Sequence, residues 1–179
     1  TLALDGHRFD NGEGGKEHGD PAFIVPLQAP PTTADMDIVR GRVELLMFDS
    51  IRAFIDTGKT VVLVYPVPEV GWHVPDYLAR AEFYGERSET PLSTSYARYL
   101  ERNGPAIELF DSYGELEGLR RVLPAEHLCN TSVDDRCVAE RGGKPLYFDD
   151  DHLNELGVAP VIEDIMRHVR EPAVSASSK

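Results

Sequence analysis

The stretch KTVVLVYPVPE, residues 59–69, decides the fold class. It holds an unbroken apolar run, VVLVY, rich in β-branched side chains and free of polar alternation. A strand with one wet face would alternate, so this one is expected to be covered on both faces, as in a parallel sheet. Pro66 and Pro68 stop it, because neither can donate to a ladder. Just upstream, residues 36–57 place Val39, Val43, Leu46, Met47, Ile51 and Phe54 at the i, i+3, i+4 spacing of one buried helix face. Asp35 or Asp37 is positioned to cap the start of that helix and Gly58 to end it. A helix followed by a buried strand is an α/β signature.

Further along, residues 75–89 predict a short helix or ordered loop. Residues 91–104 predict a helix capped by Ser93 or Thr94, with Tyr96, Tyr99 and Leu100 on one side. AIELFDSY, 106–113, reads as a second short strand, and 115–128 as a short helix or turn-rich stretch. A last helix over 159–169 has Val158, Val161, Ile162, Ile165 and Val169 as its apolar face, with Pro160 in its first turn. Before residue 36, the clusters DNGEGGKEHGD and QAPPTTAD flank AFIVPL, which predicts a long loop with one short strand. The small, polar residues 171–179 predict a disordered tail. The alternation favours a three-layer α/β/α sandwich, where chemistry gathers at the carboxyl ends of the strands.

Composition removes several function classes. The 179 residues are 41% hydrophobic and 27% charged, which is ordinary globular usage. Eighteen Lys and Arg against 31 Asp and Glu leave a net charge of -13, so the chain would repel a phosphate backbone and nucleic acid is not an expected partner. No apolar run approaches the roughly 20 residues of a bilayer-spanning helix. Cys129 and Cys137, separated by seven residues, do not match a zinc half-site; a local disulfide is expected instead. Closing a loop of about 9 residues stabilises by roughly 2.6 kcal/mol on the chain-entropy model, and implies an oxidising compartment such as the periplasm.

The candidate chemistry lies in KPLYFDDDHLNELGV, residues 144–158. Asp149 stands three residues before His152, close enough to turn back toward it across one tight turn. A histidine so oriented can take a hydroxyl proton while the carboxylate fixes its tautomer and stabilises the imidazolium. Asp150 and Asp151 are expected to face water. Taken alone, the spacing admits three readings: a catalytic pair, a solvated cap before the last helix, or a hard-metal site. The metal reading lacks further clustered ligands. Trp72 and His73, beyond the prolines that end the strand, are candidates to line a cleft or to serve as packing and loop residues. His7, His18, His127 and His168 read as surface residues. Ser50 sits inside a helical pattern with no glycine beside it, unlike a nucleophile on a sharp strand-to-helix turn.

Residues 145–158 resemble the last sequence block of the SGNH hydrolase superfamily, whose Asp-x-x-His supplies two members of a triad. RFDNGEGG, GKTVVLVYPVPEVGWHVP, PLSTSYARYL, the cysteine loop and LYFDDDHLNELG together resemble, more narrowly, the C-terminal periplasmic SGNH domain of bacterial acyltransferase-3 membrane proteins. The resemblance implies a flavodoxin-like three-layer fold, with Asp149 and His152 as catalytic residues and no metal or cofactor. It further implies O-acylation, commonly acetylation, of lipopolysaccharide or another envelope polysaccharide through an acyl-serine. The implied partners are an acyl donor, a glycan acceptor and a membrane acyltransferase-3 domain in the same full-length protein, at the periplasmic face of the inner membrane. The family's Gly-Asp-Ser block is not present in these residues, and Asn11 is a candidate polar donor only. The expectation is therefore that residues 1–170 form the C-terminal portion of such a domain, incomplete at its N-terminus, with the serine elsewhere. A carbohydrate esterase of the same superfamily and a noncatalytic glycan-binding domain are the alternatives.

Overall fold

The computed structural model describes residues 8–17 and 33–170, with side chains described from residue 38 in the second segment. The expected strand in AFIVPL and the expected disordered tail, 171–179, lie outside the described residues. The first helix, α1 (Thr33–Asp56), runs into β1 (Val61–Val64) through Gly58, whose N–H donates to the Ile55 carbonyl. Because α1 starts at Thr33, Asp35 and Asp37 fall inside the helix and not at its cap. Ile51 is buried as expected, whereas Leu46 and Phe54 are exposed.

β1 pairs in parallel with β3 (Leu119–Val122), Val61 opposite Leu119 and Val64 opposite Val122. The fold is thus α/β, built on helices and small sheets. The partner strand comes from LRRV, within the stretch expected to be helical or turn-rich. Two arginines hide it from a hydrophobicity pattern. Leu119 and Val122 are buried at its ends, while Arg121 donates to the Gly114 carbonyl.

Between β1 and β3 run α2 (Val74–Tyr84), β2 (Ser93–Ser95) and α3 (Tyr96–Ser112). Residues 106–113 are helical through Ser112, not a strand, because α3 continues through Gly104 and Pro105. Its buried positions, Tyr99, Asn103, Ala106 and Phe110, follow helical spacing, and that burial outweighs the bond Pro105 cannot make. The cap of α3 is Ser95, which accepts from the Arg98 N–H; Ser93 and Thr94 belong to β2. Then follow α4 (Ala125–Leu128), β4 (Arg136–Val138), β5 (Glu140–Arg141), β6 (Lys144–Pro145) and α5 (Glu155–Arg170). Pro160 falls in the second turn of α5, and Ile162 and Val169 are exposed.

The core has two centres. In one, Ile51 of α1, Leu63 of β1, Phe110 of α3 and Leu119 of β3 meet Tyr65 and Tyr113. In the other, Val70, Val74 and Leu78 meet Tyr99, Leu128, Val138 and Tyr147. Helix α3 contributes to both, and Ile107 packs against each. β2 pairs antiparallel with β4, and a disulfide joins Cys129 and Cys137 beside that ladder. His127, expected on the surface, is half-buried and contacts Asp164 at 2.6 Å, tying α4 to α5.

Tyr147 fixes the chain that leads into the acidic run. It is fully buried, and its hydroxyl donates to the Pro68 carbonyl at 2.7 Å, so the segment after β1 is held against residues 146–148. Tyr147→Phe keeps the ring but leaves a buried carbonyl without its donor. It is expected to lower stability by about 1–3 kcal/mol, read from the midpoint of urea unfolding. An unchanged midpoint would mean that the bond contributes nothing.

Candidate active site

Residues 147–153 form a tight loop closed at its base by an antiparallel bridge between Tyr147 and Leu153, with the Phe148 N–H donating to the His152 carbonyl at 2.7 Å. Asn154 follows as the cap of α5. Its Oδ1 accepts from the N–H groups of Leu156 and Gly157, and its amide donates to the Pro145 carbonyl at 2.8 Å. The acidic run is therefore pinned at both ends.

Inside the loop, Asp149 Oδ1 accepts from the backbone N–H of Asp151 at 3.1 Å and of His152 at 2.8 Å. Its carboxylate also meets the imidazole, with Nδ1 2.9 Å from Oδ2 and 3.2 Å from Oδ1. The turn brings Asp149 and His152 into direct contact. Asp151, expected to face water only, also lies against the ring, its Oδ1 2.8 Å from Nδ1. The residue just before a histidine reaches Nδ1 when the loop curls tightly. Asp150, also expected to face water, is half-buried with one carboxylate oxygen enclosed and without a hydrogen-bond partner among the described residues, and its carbonyl accepts from Val70 and Gly71.

The imidazole is 74% exposed, and its Nε2 has no hydrogen-bond partner among the described residues. No serine, threonine or cysteine among them is hydrogen-bonded to the ring. Ser50 lies within α1 and donates to the Leu46 carbonyl at 2.6 Å, a back-bond within the helix. Ser50→Ala is expected to leave both stability and any acyl transfer unchanged within error, checked by thermal unfolding and a transfer assay. Loss of transfer would make Ser50 a reacting residue after all.

The charges of the loop are coupled. The hydrogen bond that the imidazole donates to Asp149 raises the His152 pKa above its ordinary value, and the Asp151 carboxylate adds to the rise. For Asp149, partial burial acts upward but is outweighed by the N–H groups of His152 and Asp151 and by the imidazole, so its pKa is lowered. Burial pushes Asp151 up to about 6; the charges of Asp149 and Asp150 add to this against the opposing pull of His152. Ligand atoms of Asp149, Asp151 and His152 lie within 4.8 Å of one another, the one such His, Cys, Asp and Glu group among the described residues. All three belong to one exposed turn, and Nδ1 is already engaged by Asp149.

Trp72 and His73 line a cleft of about 780 Å³ that Asp150 borders. Three backbone bonds join its floor to the acidic loop: Val70 and Gly71 N–H to the Asp150 carbonyl, at 2.9 and 3.2 Å, and Val74 N–H to the Asp149 carbonyl at 3.2 Å. Gly71 has φ +77°, and a Cβ there would meet the Gly15 backbone at 2.9 Å, so only glycine permits this approach. Asn11 is not a free donor in the cleft. Its amide nitrogen donates to the Val70 carbonyl at 2.9 Å, and its Oδ1 accepts from Glu13 and Gly15.

Compared with known protein families, residues 4–167 match the model described as an SGNH domain fused to AT3 domains. No curated protein and no solved structure matches the chain. Among the described residues, no helix is long and apolar enough to cross a membrane.

Proposed function

Because the chain belongs to the family of SGNH domains fused to AT3 domains, we propose that it is the acyl-transferring part of an envelope O-acyltransferase. His152 is its general base and Asp149 the carboxylate that orients it. The observation that carries this reading is the 2.9 Å contact from Nδ1 to Asp149, which leaves Nε2 open toward solvent. With Nδ1–H held by a carboxylate, Nε2 is the basic nitrogen, as a base for a hydroxyl requires.

In the proposed reaction, Nε2 removes the proton of a serine hydroxyl as its oxygen bonds to the acyl carbon of an activated donor. The donor's leaving group departs with that proton. A sugar hydroxyl then attacks the acyl-serine and gives its proton to Nε2, and the serine oxygen leaves and recovers it. Asp149 stabilises the imidazolium in both halves, and neither half requires a metal or cofactor. The serine is supplied by a segment outside these 179 residues, and the donor's acyl group, most simply acetyl, by a membrane AT3 domain of the same protein. The disulfide supports a periplasmic setting. The parallel pair β1–β3 is read as part of a three-layer α/β/α sheet.

The test compares the 179-residue chain with the full-length protein on an aryl acetate. The chain alone is expected to show no turnover, and the full-length protein turnover that is lost in His152→Ala. Turnover by the chain alone, abolished by His152→Ala, would overturn the placement of the serine; turnover indifferent to His152 would overturn the base. Exposure of the imidazole to water also fits a carbohydrate esterase. Free acetate as the product in the presence of acceptor glycan would favour it.

A further inference from the structure

We infer that the cleft beside Asp150 is the acceptor subsite, and that it takes an uncharged pyranose unit of the glycan; this rests on the acyl-transfer reading of Asp149 and His152. The first observation is an aromatic corner. Trp72 and Tyr77 stand with ring centroids 5.7 Å apart and planes at 51°, and both line the cleft. Tyr77 is 44% exposed, and Tyr84 is exposed on the same wall. Tyr77, Arg80 and Tyr84 follow at helical spacing along one face of α2. Flat rings with polar edges suit the C–H face of a sugar, which presents apolar carbon and hydroxyls together.

The second observation is rigidity. The indole of Trp72 lies so close to Gly15 that a Cβ there would be 2.7 Å from the ring. The backbone beneath it is clamped by Asn11 through the Val70 carbonyl. The three backbone bonds from residues 70, 71 and 74 then tie this corner to Asp149 and Asp150. A sugar ring bound there rests on backbone that is hydrogen-bonded to the acidic loop, which restricts how an acceptor can lie relative to His152 in the adjoining depression that it lines with Asp149.

The third observation is charge. Glu86 and Asp150 line the cleft as carboxylate acceptors for hydroxyls, while Asp76 on the same wall meets the His73 imidazole at 3.2 Å. Lys16 is engaged by Asp10 at 3.5 Å, which leaves Arg80 as a lining cation with no carboxylate partner among the described residues. With the paired groups set aside on both sides, one cation stands against two carboxylates, Glu86 and Asp150, in a chain of net charge -13, which disfavours a uronate or phosphorylated sugar.

Trp72 is the single tryptophan of the chain, so its emission reports on this corner alone. The chain is titrated with tetrasaccharides of glucose, mannose and galactose, and with tetragalacturonate as the anionic counterpart. At least one neutral sugar is expected to shift the emission saturably, with tetragalacturonate at least about tenfold weaker. Tyr77→Ala, at an exposed position, should weaken the neutral sugar about tenfold with thermal unfolding unchanged, and His152→Ala should bind as the wild type does. No response to any neutral sugar, equal or tighter binding of tetragalacturonate, or affinity indifferent to Tyr77→Ala would overturn the subsite. The two readings fail separately. Transfer that needs His152 but ignores Tyr77 sinks the subsite alone; saturable binding in a protein whose transfer ignores His152 sinks the catalytic reading alone.

Discussion

His152→Ala in the full-length protein is expected to lower acyl transfer by at least about 10³-fold, with folding intact. Without the imidazole the loop keeps only carboxylates: Asp149 is taken up by the N–H groups of Asp151 and His152, and Asp151 loses the ring it lies against. The fold should survive because the side chain is three-quarters exposed and packs against no buried residue of either core centre. The backbone bonds that shape the loop, from the His152 N–H to Asp149 and from Phe148 N–H to the His152 carbonyl, do not depend on the ring. Transfer rates measured with an aryl acetate donor, beside a thermal unfolding curve, check both halves. A variant that unfolds normally and transfers at a comparable rate would remove His152 from the reaction.

Asp149→Asn is expected to cost up to about 10⁴-fold, the magnitude known for loss of the carboxylate that sets a catalytic imidazole's tautomer. The amide can keep one oxygen for the N–H groups of Asp151 and His152, so the turn persists. What it loses is the second oxygen that faces Nδ1 and the charge that stabilises the imidazolium. The same change has a pH signature. Asp149 first, and then Asp151, raise the pKa of His152 above its ordinary value. A base acts only when neutral, so the rate is full above that pKa and falls as pH drops through it. Taking away the Asp149 charge lowers the His152 pKa, and the acid limb of kcat/KM should therefore move to lower pH while the plateau falls. An acid limb that stays in place, or moves upward, would show that Asp149 does not govern the proton affinity of the base.

The contact between Asp149 and His152 was legible because three-residue spacing and a turn-forming carboxylate are local properties. The run VVLVY likewise announced a buried strand, since continuous apolar character has few other uses at that length. Its partner was not legible. LRRV carries its strand role through pairing with β1, a contact between residues about sixty positions apart that no local pattern records. The same holds for α3, where Gly104 and Pro105 are local breakers overridden by the burial of Ala106 and Phe110. In the site, Asp151 was misplaced because its approach to Nδ1 depends on how tightly the Tyr147–Leu153 bridge curls the loop. The cleft was half visible: the position of Trp72 and His73 beyond the strand suggested one. Its coupling to the acidic loop runs through backbone bonds, which side-chain types do not encode.

The most direct measurement is a rapid-mixing experiment on the full-length protein with an activated acetyl donor, followed by intact-mass and peptide analysis. If His152 is the base for an acyl-serine, the wild type shows a burst and gains one acetyl group on a single serine. His152→Ala then shows neither, and Asp149→Asn gains the acetyl group far more slowly. An equal burst and equal acetylation in His152→Ala, or transfer to glycan with no acetyl group ever found on a serine, would contradict it.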